Sequence, residues 1–289
     1  MKAIQRSIAL IKASRQIVSI NPNLVAYPLV STFFSLILIS VFMVPLVYFQ
    51  TPSHTLPSWV TPAMAHYGPA AISLVSLVLF QWLSAFVGSA FYVAADAALQ
   101  GERMPFKVAF GQAWQNRLLI TKWAVFAGLI GFVINQLEQR LNFVGSLVAR
   151  VFGVAWSLAT VFAVPVLVRR KLSPVQALKY SGSLFKKTWG EQLVAESALG
   201  AVMVIPVLLV SAIGFSLLLQ VSAEVITVAF AVKIACALLV LLVALGSYVM
   251  AVEAIFNAAL YRYADTGDYV GPFSHELING AYRSKKRAA

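Results

Sequence analysis

The stretch ITVAFAVKIACALLVLLVALGSYVMAVEAI, residues 226–255, carries only two charged side chains, Lys233 and Glu253. An α-helix rises 1.5 Å per residue, so about 20 apolar residues cross a hydrocarbon core of roughly 30 Å. This run is longer than that minimum, and no soluble domain needs one so free of charge. Working back toward the N-terminus, comparable runs occupy about 24–48, 70–98, 118–137, 144–168 and 193–219. Several also exceed the minimum, which predicts tilting or extension past the bilayer.

Composition agrees. Apolar residues make up 60% of the chain and charged residues 11%, with a mean hydropathy of +0.83. These values exclude an ordinary soluble domain. The net charge of +12 does not point to nucleic acid, because it is dispersed over membrane-adjacent segments, where translocation bias and anionic headgroups account for it. With the N-terminus in the cytoplasm, Lys2, Arg6, Lys12 and Arg15 lie inside, as do Arg103, Lys107, Arg117 and Lys122 after the second span. Arg169, Arg170, Lys171, Lys179, Lys186 and Lys187 follow the fourth span, and Arg262, Arg283, Lys285, Lys286 and Arg287 follow the sixth. Only Arg140, Arg150 and Lys233 remain on the other side. The positive-inside rule therefore predicts both termini in the cytoplasm.

The chain also repeats itself. Asp96-Ala97-Ala98-Leu99 follows the second span and Asn257-Ala258-Ala259-Leu260 the sixth, with Pro165-Val166-Leu167-Val168 in the corresponding place of the fourth. Pro105-Phe106, Pro174-Val175 and Pro272-Phe273 come next, each opening a short amphipathic helix. Phe106, Ala109, Phe110, Ala113 and Trp114 form the expected apolar stripe of the first, about 105–116. Val175, Leu178, Gly182 and Phe185 form that of the second, about 173–187, where Ser173 and Gln176 have capping-box spacing. Phe273, Leu277, Ala281 and Tyr282 form that of the third, about 272–283, and Ile4, Ile8, Ile11 and Val18 mark a further one over 2–20. The predicted fold is an all-α membrane protein. Its six transmembrane helices form three parallel-repeat hairpins with interleaved cytoplasmic amphipathic helices. Those helices either lie among headgroups or pack together beneath the bundle; their basic faces favour anionic lipid, and their lengths allow both.

Two sets of residues carry a likeness. Trp156-Ser157-Leu158-Ala159-Thr160 with Pro165-Val166-Leu167-Val168, the segment Ser183 to Glu191, and Leu260-Tyr261-Arg262-Tyr263-Ala264 resemble an uncharacterised family of prokaryotic six-span membrane proteins. That family is defined only as a domain of unknown function. The resemblance implies the fold and a prokaryotic inner membrane, and no activity. The paired spans and proline-started helices are also similar to the membrane portion of some glycerophosphodiester phosphodiesterases, although the chain is too short for their catalytic domain and has no such motif.

Charges inside hydrocarbon cost at least a few kcal/mol each, which makes every one a candidate site. Arg150 and Lys233 enter their spans from the outer side, where they pair with Glu138 or Glu224, snorkel to phosphate, or together receive an anion. Asp96, Glu196 and Glu253 lie near the inner ends of their spans. They either form a cation or proton site or pair with bases such as Arg117, Lys122 and Lys186. Pro28, Pro45, Pro165 and Pro206 are expected to kink or unwind their spans. Ser84–Gly88, Gly128 with Gly131, and Gly153–Ser157 offer small faces for close helix approach.

Catalytic and cofactor motifs are absent, and the single cysteine, Cys236, allows no disulfide framework. His54 and His66 lack a carboxylate or thiolate in their loop to complete a metal site. Two functions fit these residues: an accessory or scaffold protein engaging anionic lipid or a partner, and a transporter or channel for a small solute, ion or lipid. An intramembrane enzyme is a third and more distant reading.

Overall fold

The computed structural model describes the backbone of residues 3–50, 60–140, 143–223, 225–268 and 270–273, and their side chains outside 3–8, 48–50, 143–144 and 187–202. Most of the amphipathic helix expected at 272–283 lies outside this range. The described residues are helical, with no strand among them: α1 (Ala3–Ile20), a 3-10 turn at Pro22–Val25, α2 (Ala26–Gln50), α3 (Pro62–Leu99), α4 (Phe106–Gln115), α5 (Arg117–Arg140), α6 (Phe143–Thr160), α7 (Ala163–Arg170), α8 (Pro174–Ser222) and α9 (Val228–Thr266). Six segments are long and apolar enough to cross a membrane: Pro22–Val47, Pro62–Leu99, Arg117–Arg140, Gly145–Arg170, Met203–Ser222 and Val228–Thr266.

One expectation about these helices needs correction. The amphipathic helix at 173–187 and the span at 193–219 are not separate elements, because α8 runs through both. No proline or glycine stands between them to stop it until Pro206, except Gly182, Gly190 and Gly200, which a long helix tolerates. The fourth span, expected at 144–168 and found at Gly145–Arg170, is interrupted, as expected of Pro165. It breaks at Val161–Phe162, between α6 and α7. Pro165 explains the position of the break: it has no N–H for the carbonyl four residues earlier, and its ring crowds that carbonyl. Pro45, Pro69 and Pro206 lie inside helices that continue past them.

The chain divides into two compact units, one of residues 30–94 and 104–187, the other of 1–29, 95–103 and 188–289. In the first, α3, α5 and α6 lie side by side. The Trp82 indole N–H donates to Thr121 Oγ1 at 3.1 Å, and a Cβ on Gly128 would stand 2.7 Å from Val78 Cγ2 and 3.0 Å from its Cα. Trp123 stacks on Trp156 across α5 and α6, with ring centroids 6.4 Å apart. Past Trp82, α3 meets α4 through Phe86 and Phe110 (5.7 Å), and α7 through the Tyr92 hydroxyl and Arg169 (3.3 Å). The core here is built from Ala90, Ala94, Ala109, Ala113, Ile120 and Phe162, together with Val166, Ala177 and Leu184.

In the second unit α1 packs on α9. Leu10, Ala13, Ser14, Ile17 and Val18 are buried, the 3–4 spacing of a single helix face. Each of the large apolar side chains in that face contributes about 1.5–3 kcal/mol. Of the four residues expected there, only Val18 is in the buried face; Ile11 is half-buried, and Ile4 and Ile8 have no described side chains. Along α9 the environment changes. Val228, Phe230, Val232, Leu239, Val240 and Leu241 are exposed, whereas Ala251, Val252, Ile255, Phe256 and 258–261 are buried.

The buried faces of the short helices match the expected stripes only in part: in α4 the small members of the stripe are buried, and in α8 the buried residues lie beside it. In α4, Ala109 and Ala113 are buried while Phe106 and Trp114 are exposed. In the first turns of α8, Ala177, Ser181 and Leu184 are buried, and Val175 is exposed. Counted from the residue that precedes each helix, Pro105 or Ser173, positions four and eight are small in both. Small side chains let these helices approach their neighbours closely, and the large apolar ones are left on the outside.

Candidate functional site

The helix end at Asp96 is set by local sequence. Gly101 takes φ +82°, so its N–H reaches Ala98 O and that of Glu102 reaches Ala97 O. This pattern satisfies the last carbonyls of α3. It holds Asp96 one turn from the end, where Oδ1 accepts from Arg262 Nη1 of α9 at 2.9 Å. Gln100 Nε2 donates to the Asp96 carbonyl at 3.0 Å. The pair is largely shielded, with 15% of the Arg262 side chain and 22% of the Asp96 side chain exposed. The Nε of Arg262 is buried and has no hydrogen-bond partner among the described residues. The neighbouring residues in sequence, Ala97, Ala98 and Leu99 after Asp96 and Ala258, Ala259 and Leu260 before Arg262, are all buried. For Asp96 the expectation was a cation or proton site or a pair with a base such as Arg117, Lys122 or Lys186; among the described residues it pairs with Arg262.

The other candidate charges are placed as follows. Arg150 Nε donates to Glu138 Oε1 at 2.7 Å, with 68% of the Arg150 side chain exposed. Glu138 lies in the last turn of α5 and Arg150 on α6. Lys233 is exposed on α9, Glu253 is half-buried on the same helix, and the Glu196 side chain is outside the described residues. Among the described residues no group of three or more His, Cys, Asp or Glu could hold a metal ion.

A second feature was visible in sequence only as scattered charge. In the unit of residues 30–94 and 104–187, eleven residues are Lys or Arg and one, Glu138, is acidic. Nine of those bases fall in 107–122 and 169–187, the segments that hold α4, the start of α5, the end of α7 and the start of α8. Arg117 lies over the Trp114 ring at 5.4 Å and Arg170 over Tyr180 at 4.5 Å. Lys171, the residue that ends α7, has φ +51° and donates to Leu167 O at 3.1 Å. Ser173 then donates from its N–H to Gln176 Oε1 at 3.2 Å, the reciprocal half of a capping box at the start of α8.

The break between α6 and α7 sits at this end too. The Phe162 N–H donates to Ser181 Oγ at 3.0 Å, and both residues are fully buried. The gap in the helix is thus filled and its freed donor satisfied, a different outcome from an open, ion-lined interruption.

Residues 70–271, more than two thirds of the chain, match the model of a family of unknown function, DUF6159. No curated protein and no solved structure matches the chain. The likeness to the membrane portion of glycerophosphodiester phosphodiesterases is not supported. The chain belongs to DUF6159, the family of unknown function whose model covers these helices.

Proposed function

We propose that the protein is a non-catalytic accessory or scaffold protein of a prokaryotic inner membrane whose cytoplasmic end engages anionic lipid. In this reading the six spans form three hairpins of like orientation, with both termini inside, α1 and α4 ahead of the first two hairpins and the first turns of α8 leading into the third. The carrying observation is the charge of residues 30–94 and 104–187, nine bases at one end with no acid among them. Such an end needs counter-charge, and the anionic inner leaflet supplies about 1 kcal/mol for each Lys or Arg near its surface. Exposed Phe106, Val108 and Trp114 beside these bases suit an interface that is greasy on one side and charged on the other.

The same residues support a position for the bilayer boundary. Trp82 and Thr121 share a level, and Arg117 and Lys122 flank it; an indole N–H and a ring of cations mark the headgroup layer. The end of α3 beyond Trp82, with α4 and α7, then forms a cytoplasmic layer under the spans.

Purified protein in nanodiscs tests the reading. Its melting temperature should rise when anionic phospholipid replaces part of the phosphatidylcholine, and the gain should shrink in high salt. Equal melting in both lipids would remove the basis for lipid engagement. Transport has one supporting observation, the broken fourth span, which the packing of Phe162 and Ser181 weakens. Solute flux through proteoliposomes above that of empty vesicles would replace the scaffold reading with transport.

A further inference from the structure

The corner between α4 and α5 has a chemistry that the overall charge does not explain. Trp82 and Phe86 stack at 4.9 Å, and Phe86 meets Trp114 edge-on at 6.2 Å. Phe110 meets Phe106 at 4.6 Å. Phe106, Phe110 and Trp114 recur every four residues, so the seam begun on α3 continues along one edge of α4. At its end Arg117 lies over Trp114 and donates one N–H to the Trp114 carbonyl at 3.2 Å. Among the described residues Arg117 has no carboxylate within ion-pair distance. Trp114 is 55% exposed and Leu118, next to Arg117, is 71% exposed.

A water-facing surface gains nothing from a large exposed aromatic and a leucine beside an unneutralised guanidinium. A phospholipid matches all three. Its phosphodiester takes the forked donors of an arginine, bidentate and charge-assisted. Its glycerol and upper acyl carbons cover the indole and the leucine. The place of Arg117 over the Trp114 ring and its hydrogen bond to the Trp114 carbonyl position the guanidinium in advance, so less freedom is lost on binding. The Trp82–Thr121 hydrogen bond ties this corner to the level of the headgroups.

We propose that this corner is a discrete binding site for one anionic glycerophospholipid, its phosphate held by Arg117 over Trp114 and its chains rising past Leu118 toward the level of Trp82. The proposal rests on the lipid-engaging reading above and gives it a single locus.

Native mass spectrometry of the full chain, titrated separately with phosphatidylglycerol, phosphatidylcholine and soluble glycerophosphate, tests it. The first phosphatidylglycerol should bind about tenfold more tightly than phosphatidylcholine, the loss expected from one charge-assisted contact. Arg117→Gln should abolish that preference, Trp114→Leu should weaken binding severalfold, and Lys233→Gln should leave it intact. Arg117→Lys, which keeps the charge and loses the fork, should fall between; it serves as the test if the glutamine variant does not fold. Undiminished preference in the Arg117 variants overturns the site but leaves the lipid-engaging reading standing. No preference in the wild-type chain overturns both. Glycerophosphate binding as tightly as the lipid would assign the corner to a soluble phosphate ester and overturn the proposal.

Discussion

Lys171 shows how a single residue can be at odds with its backbone. It ends α7 at φ +51°, a conformation that costs a side-chain-bearing residue about 1 kcal/mol or more and glycine almost nothing. The corresponding ends of α3 and α9 place Gly101 and Gly267 in that conformation. Lys171→Gly should therefore stabilise the fold by about 0.5–1 kcal/mol, raising the thermal midpoint in detergent. Asp96→Asn should act in the opposite direction. It leaves the shielded Arg262 without its counter-charge, at a cost of about 2 kcal/mol, between the values for exposed and fully buried pairs. Chemical denaturation of the purified variant measures it. The charge of Asp96 was legible in the sequence as out of place near the end of a span, but its partner was not. Arg262 lies 166 positions away, and several nearer bases satisfied the same arithmetic until the fold chose among them.

The helices themselves were legible because hydrophobic length is read directly by the bilayer, and the approximate places of all six were evident. What composition could not fix was phase and continuity. For α4, the 3–4 spacing gave a stripe of Phe106, Ala109, Phe110, Ala113 and Trp114, yet only its small members, Ala109 and Ala113, are buried. Amphipathicity locates a face only when one solvent is polar, and here both sides of the helix are partly apolar. Small faces were read more securely, though only by contact can the critical glycine be told from its neighbour. A Cβ at Gly128 would meet the Val78 backbone, while one at Gly131 would meet nothing within 4 Å. Gly128→Ala should force α3 and α5 apart and cost about 1–3 kcal/mol, with Gly131→Ala near neutral. Thermal unfolding of the two variants side by side decides this. The break at Pro165 makes a comparable demand on Ser181. Ser181→Ala would strand the buried Phe162 N–H and lower stability by about 1–3 kcal/mol, whereas Ser183→Ala, on an exposed hydroxyl of the same helix, should do little.

For the molecule as a whole, the asymmetry of basic residues leads to an orientation that labelling can check. In a Cys236→Ala background, Ser53→Cys should react with a membrane-impermeant maleimide in intact cells, and Ser7→Cys and Ser284→Cys only after permeabilisation. Reaction at both ends before permeabilisation would reverse the topology and move the cationic end to the outer leaflet. Charge counts along a sequence were enough to propose this much, because translocation responds to them segment by segment. They could not reveal that the bases of residues 107–122 and 169–187 come together within one packed unit, since that depends on α5 meeting both α4 and α7.

The 39 residues of α9 amount to a rod about 58 Å long, nearly twice the thickness of the hydrocarbon core. One half carries its apolar side chains outward and the other is strapped by α1, with no break between them to absorb bending. Swinging an arm of about 25 Å through about 10° carries its tip by roughly 4 Å. Lipid chain length thus becomes a mechanical input that the α1 strap must either resist or follow. Spin-label separations between α1 and the outer tip of α9, compared in short-chain and long-chain bilayers, would register which it does.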